Sequence, residues 1–161
     1  MTHYTLTDET ITTSDGVTLY RIQLTQDGAH GAAGDKGGYI QSIRNLSEGA
    51  WVYGDARVSG KARVSGKARV SGNACVYGDA RVSGDARVYG GDWQVSPLQI
   101  QGTRHYVNVC TPGMLRIGCQ EHTIPDWLHN FENIGVENGY TVEQIAEYVL
   151  YIQLAATLYN L

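Results

Sequence analysis

The chain has 161 residues, enough for one domain or for a solenoid with an appended cap. Only 17% of them are charged, against roughly 25% in an average soluble domain, and 16 acidic side chains against 12 basic ones leave a net charge of -4. That balance supplies no global basic field and argues against nucleic acid as a partner.

The N-terminus, Met-Thr-His-Tyr-Thr-Leu-Thr-Asp, is polar, and no apolar run reaches the roughly 18 residues a membrane span needs. A cytoplasmic location with no membrane partner is therefore the expectation. Cys75, Cys110 and Cys119 form no even framework and no CxxC, so reduced thiols are expected.

Residues 3 to 24 alternate loosely in polarity around Ser14-Asp15-Gly16, which predicts an N-terminal β-hairpin. With the glycine-rich loop that ends near residue 38, it forms a first region, 1–38, placed to cover the open edge of the second. That second region, 39–92, is a repeat of period six. Valine recurs from Val52 to Val88, with alanine two places before each and glycine two places after. Ile40 and Leu46 extend the same register toward the N-terminus. In a strand, residues i and i+2 share a face, so Ala and Val point inward together, and glycine turns the corner. Three such sides close an eighteen-residue triangle, and the repeat makes about three coils.

Stacking at intervals of eighteen sorts the outward residues into columns. Trp51, Arg69 and Arg87 run beside Tyr53, Ser71 and Tyr89. Tyr39, Arg57 and Cys75 run beside Gln41, Ser59 and Tyr77. The third face, Asn45, Arg63 and Arg81, carries no aromatic. Two adhesive faces and one polar face suit a homotrimer, with Tyr39, Trp51, Tyr53, Arg57, Arg69, Tyr77, Arg87 and Tyr89 as its interface. At the corners, Lys61 is expected to stack over Asp79. The arginine columns also admit reading as an anion groove, which the same spacing at a subunit interface explains as well.

This pattern resembles the left-handed parallel β-helix of hexapeptide-repeat proteins, and the handedness is implied by that resemblance alone. In that family glycine directly follows the branched residue, whereas here Ser or Tyr intervenes. The variant corner, with Gly34-Asp35-Lys36-Gly37-Gly38-Tyr39 and the Arg44-Asn45-Leu46-Ser47 stretch, is similar to a group of phage and prophage proteins. The resemblance runs from about Gly34 onward.

The repeat breaks at Gly90-Gly91-Asp92, read as an inserted residue, and a third region, 93–161, comes next as an α+β module. Strands are expected over 98–101, 105–110 and 114–119. A helix is then expected after Thr123, with Pro125 in its first turn and Trp127, Phe131 and Ile134 inward. A last helix is capped by Thr141 and Gln144, with Ile145, Val149, Ile152 and Ala156 buried. The fold class is therefore mainly β: a short β-helix of about three coils, an N-terminal hairpin cap, and a C-terminal α+β module ending in two helices.

Histidine is concentrated in the third region. Arg104, His105, His122, Trp127 and His129 form a candidate ligand site, because an anion suits the helix start near His122 while Arg104 and His105 add charge and Trp127 a stacking surface. A zinc set of His105, Cys110, Cys119 and His122 matches no finger spacing, and neither thiol sits in a nucleophile elbow, so no metal, cofactor or catalytic residue is assigned. Hexapeptide enzymes are acyltransferases with a histidine base, yet no histidine and no excursion loop interrupts 50–90. A non-enzymatic oligomer that binds a small anionic molecule is the reading preferred. The phage resemblance, to a group of generally unassigned role, makes sequestration of a host molecule such as a nucleotide-like defence signal a plausible use. The alternatives are a structural or protein-binding trimer and an acyltransferase-like enzyme.

Overall fold

The computed structural model describes residues 2–47 and 49–161. The chain divides into two compact units, Met1–Pro97 and Leu98–Leu161, so the break falls a few residues beyond the end of the repeat.

The first unit opens with the hairpin, β1 (Tyr4–Thr12) and β2 (Thr18–Leu24), joined through a turn in which Gly16 takes a φ of 83°. Strand β2 pairs antiparallel with β3 (Lys36–Ile40), the first side of the solenoid, so the hairpin supplies partners to an edge that would otherwise present unpaired backbone groups. Seven Ala-x-Val steps then give seven two-residue strands: β4 (Trp51–Val52), β5 (Arg57–Val58), β6 (Arg63–Val64), β7 (Arg69–Val70), β8 (Cys75–Val76), β9 (Arg81–Val82) and β10 (Arg87–Val88).

They stack in parallel at the expected eighteen-residue interval. Tyr39 pairs with Arg57 and Arg57 with Cys75; Trp51 pairs with Arg69 and Arg69 with Arg87; Arg63 pairs with Arg81. The inward alanines and valines from Ala50 to Val88 are all buried, at 0 to 1% exposure. Burying each valine stabilises by about 1.5 to 3 kcal/mol, so the apolar column is the main support of a prism that has little else inside.

At each corner between Tyr53 and Ala86 the Ala N–H returns to the Ser or Tyr carbonyl three residues earlier, 3.2 Å away in the Ser65 to Ala68 case. Only the first central residue of that turn, glycine, has positive φ. That is the dihedral sign pattern of a type II′ turn, and it accounts for the extra Ser or Tyr before the glycine. At Gly66 a methyl would also stand 3.0 Å from the Gly84 backbone nitrogen, because the corners of successive coils stack in contact.

Two departures from the expected pattern matter. Asn45, assigned to an outward column, is buried at 1%. It ends a short 3-10 turn (Ile43–Asn45) and donates from Nδ2 to the carbonyls of Gly60 at 3.1 Å and Ala62 at 2.9 Å. At the other end the break is a deletion, not an insertion: in β11 (Asp92–Trp93), Asp92 pairs with Cys75 and Trp93 with Val76. The shortened step puts Trp93 in the inward valine position, where it is 6% exposed and its indole donates to Gly90 O at 2.8 Å.

The second unit is a four-stranded antiparallel meander, β12 (Gln99–Gln101), β13 (Tyr106–Thr111), β14 (Met114–Ile117) and β15 (Gln120–Thr123), followed by α1 (Ile124–Glu137) and α2 (Val142–Leu158). Thr123 caps α1, accepting from Asp126 N at 3.1 Å, and Thr141 with Gln144 closes the capping box of α2. Strand β15 goes beyond the sequence expectation, because Gln-Glu-His-Thr has no apolar alternation to mark it. In α2 the buried set is Tyr148, Ile152, Ala155 and Ala156; Ile145 and Val149 are only half-buried. Ile152 and Ala156 match the expected stripe, and the rest is rotated toward Tyr148.

Candidate functional site

The five proposed ligand residues of the second unit do not converge. Arg104 spends its guanidinium on the end of α1, donating to Gly139 O at 2.6 Å and Asn138 O at 3.1 Å, and lies 4.4 Å above the Tyr140 ring. It is a helix C-cap that satisfies carbonyls the helix leaves open. His105 packs against Tyr140, its ring centroid 5.8 Å away, and its carbonyl accepts from Tyr148 Oη at 2.9 Å.

His122 lies in β15, paired with Leu115, toward the opposite end of the meander. Its ring meets Trp127 edge-on at 4.8 Å, and its Nε2 is buried with no partner among the described residues. Trp127 is 4% exposed and donates its indole N–H to Leu115 O at 2.7 Å, so its faces belong to the core and not to a ligand. His129 is exposed on α1.

The crevice bounded by Trp127, Phe131, Ile134, Tyr140 and Ile152 holds only about 40 Å³, room for about one water molecule and far too little for a nucleotide. Cys110 is buried with its Sγ on Met114 O at 3.5 Å, while Cys119 is exposed. The four residues considered for zinc are thus divided between the two ends of the sheet.

In the first unit, two of the eight expected interface residues are covered from within the chain. Trp51 is 1% exposed, enclosed by the rings of His3, Tyr4, His30 and Tyr53, and Tyr39 is 6% exposed, under Arg21. Strand pairing put both on outward faces correctly; what the repeat could not reveal is that the N-terminal segment lies over them. Tyr53, Arg69 and Tyr89 are half-buried, and Arg57, Tyr77 and Arg87 are exposed.

The cover over Trp51 has defined chemistry. His30 stacks on the indole at 5.6 Å with 12° between planes, with Nε2 on Gly49 O at 3.1 Å and Nδ1 on Tyr53 Oη at 3.2 Å. A carbonyl only accepts, so Nε2 carries the proton and Nδ1 receives the tyrosine hydroxyl. Burial, helped by His3 and Arg69, holds the imidazole below its usual pKa against the pull of the Gly49 carbonyl. Burial also raises the Cys75 thiol, with Asp92 adding to the effect, which leaves that sulfur a poor nucleophile.

A cleft of about 490 Å³ lies on the face and corner expected to be plain. Arg44, Lys61, Arg63 and Arg81 line it with Asp79, Gln41 and Ser42. No ion pair joins Lys61 to Asp79 among the described residues, although the coils place them in the same cleft. The sequence signal for this cleft was the interruption at Arg44-Asn45, where the hexapeptide lapses.

These features define a β-solenoid repeat protein with about three coils. A family model described as YdcK Beta solenoid repeat matches residues 50–66 and 80–93, which are coil segments of this solenoid. No curated protein matches the chain.

Proposed function

We propose that the chain is a non-enzymatic, phage-type hexapeptide-repeat protein that assembles as a homotrimer. In this reading it binds a small anionic, nucleotide-like molecule in the host cytoplasm and sequesters a defence signal. One observation carries it: the chain's polar chemistry faces outward on the solenoid, as in-register arginines (Arg63 with Arg81, Arg69 with Arg87), while the inward side chains of the repeat from Ala50 to Val88 are Ala and Val. Such a surface holds and presents, and burial with Asp92 beside it raises the Cys75 thiol and leaves it a poor nucleophile. Arg57, Tyr77 and Arg87 remain exposed for contact with neighbouring copies.

A protein-binding scaffold is the second reading, favoured by Leu150, Leu154 and Leu158, which are exposed at 62, 43 and 56% and recur every fourth residue along α2. Native mass spectrometry of the purified chain tests both. A trimer that carries a co-purified small anion supports sequestration. A monomer refutes the assembly. A bare trimer whose mass drops in Leu154→Glu transfers the role to the helix surface.

A further inference from the structure

The cleft on the third face has a built character. The hexapeptide pattern lapses at Arg44-Asn45, where the chain makes a 3-10 turn instead of a plain corner. That turn is pinned. Asn45 Oδ1 accepts from Ser42 N at 2.8 Å, and its Nδ2 donates to Gly60 O and Ala62 O at 3.1 and 2.9 Å. Gln41 Oε1 in turn accepts from Gly60 N at 2.7 Å. Two walls one coil apart are thus tied to each other, and Arg44 is held on one wall while Lys61 and Arg63 rise from the other.

The charge is one-sided. Four cationic side chains (Arg44, Lys61, Arg63, Arg81) meet one carboxylate (Asp79), a net of +3 within a chain of net charge -4. Arg63 and Arg81 are paired in register on neighbouring parallel strands, about 4.8 Å apart, where like charges repel. Arg44, Lys61 and Arg63 form no ion pair among the described residues. An anion seated against Arg44, Lys61 and Arg63 offsets the like charge gathered there, and guanidinium forks match phosphate oxygens.

We propose that this cleft is an anion site for a small molecule carrying two or more adjacent phosphate groups. The inference rests on the anionic-ligand reading above and moves the site from the histidine cluster to the solenoid. A volume of about 490 Å³ suits a diphosphate with a substituent, and a lone monophosphate would match only part of the charge of Arg44, Lys61 and Arg63. A nucleic acid strand would need a basic track that continues past the cleft, and the net negative charge of the chain opposes one.

Calorimetry on the full chain tests this with inorganic pyrophosphate, tripolyphosphate and orthophosphate as probes, and with a single-stranded oligonucleotide as competitor. Pyrophosphate should bind more tightly than orthophosphate. Lys61→Ala and Arg63→Ala should each weaken it roughly tenfold or more, the loss of a charged hydrogen bond. Lys67→Ala, exposed and outside the cleft lining, should stay within about twofold of the parent, because screening confines exposed charges to short range.

Circular dichroism and melting of each variant show that it is folded, and phosphorus NMR line broadening of pyrophosphate by the parent gives a readout that needs no variant. Absence of heat and of broadening overturns the proposal. So does an equal loss in Lys67→Ala, or preference for the oligonucleotide. A trimer that ignores pyrophosphate refutes this site and leaves the assembly standing. A monomer that binds it refutes the assembly and keeps the site.

Discussion

Asn45→Asp isolates what the 3-10 turn contributes. The change is nearly isosteric, and aspartate can still accept from Ser42 N, so the turn itself is not deprived of its cap. The two donated bonds, to Gly60 O and Ala62 O, are lost, and a carboxylate oxygen is placed against two carbonyl oxygens at a position 1% exposed. An unsatisfied buried group costs about 1 to 3 kcal/mol, and an uncompensated charge adds to it. Ala62 is buried while Gly60 is exposed, so one carbonyl bears most of the loss. The total is about 3 kcal/mol, which for a unit of this size lowers Tm by roughly 10 °C or more. Differential scanning calorimetry at pH 7 and pH 4 reads it out. Acidification protonates the buried carboxyl and restores a donor, so the deficit should shrink at pH 4. A variant that melts within about 2 °C of the parent at pH 7 would mean that the amide bonds do not hold the two coils together.

Val70→Asp places a carboxylate in the wholly apolar prism and should abolish cooperative melting of the first unit, whereas Ser65→Asp, facing outward, should melt like the parent; equal melting curves would invert the inward and outward assignment. Lys36 and Arg21 hold the Glu9 carboxyl down to about 2 from 4.5, so its contribution is present above pH 4.5 and lost as pH falls toward 2. The urea midpoint of the parent should accordingly fall more steeply over that interval than that of Glu9→Gln, and parallel slopes would dismiss the pairing. Arg104→Ala removes the α1 C-cap and the contact with Tyr140, and should cost the second unit about 1 to 2 kcal/mol in chemical denaturation with no change in pyrophosphate affinity.

The repeat made the solenoid legible because its period fixes both which residues point inward and which stack on which. The pairs Trp51 with Arg69 and Arg63 with Arg81 followed from counting by eighteen. Counting fails where the chain departs from the period. The deletion before Trp93 looked like an insertion because glycine doubling at 90 and 91 resembles an added residue, and only the pairing of Asp92 with Cys75 shows the shorter step. The histidine cluster misled for a different reason. Arg104, His122 and Trp127 are near in sequence to the same turns, but a meander sends alternate turns to opposite ends of a sheet. Arg104 therefore reaches the end of α1 while His122 pairs with Leu115. Trp127 gave no sign in the sequence that its indole had a backbone partner.

A strict hexapeptide lattice repeats the same outward side chain on every coil, so the lattice alone cannot make one place on its surface different from another. Distinction arises where the lattice is broken, and the breaks in this unit differ in kind. The short step at Trp93 fills the prism end with an indole. The N-terminal segment buries Trp51 under His3 and His30, removing an aromatic from the surface. The turn at Arg44-Asn45 adds a cation beside three supplied by the lattice and ties the walls between them. The first two breaks conceal apolar groups, as stability requires of a short solenoid. The third concentrates like charge, which costs stability and which the proposed anion would offset. Selection for folding alone explains concealment and gives no reason to gather four cations around one cleft, which is why the third face, plain by its repeat, is the place where a ligand should be sought first.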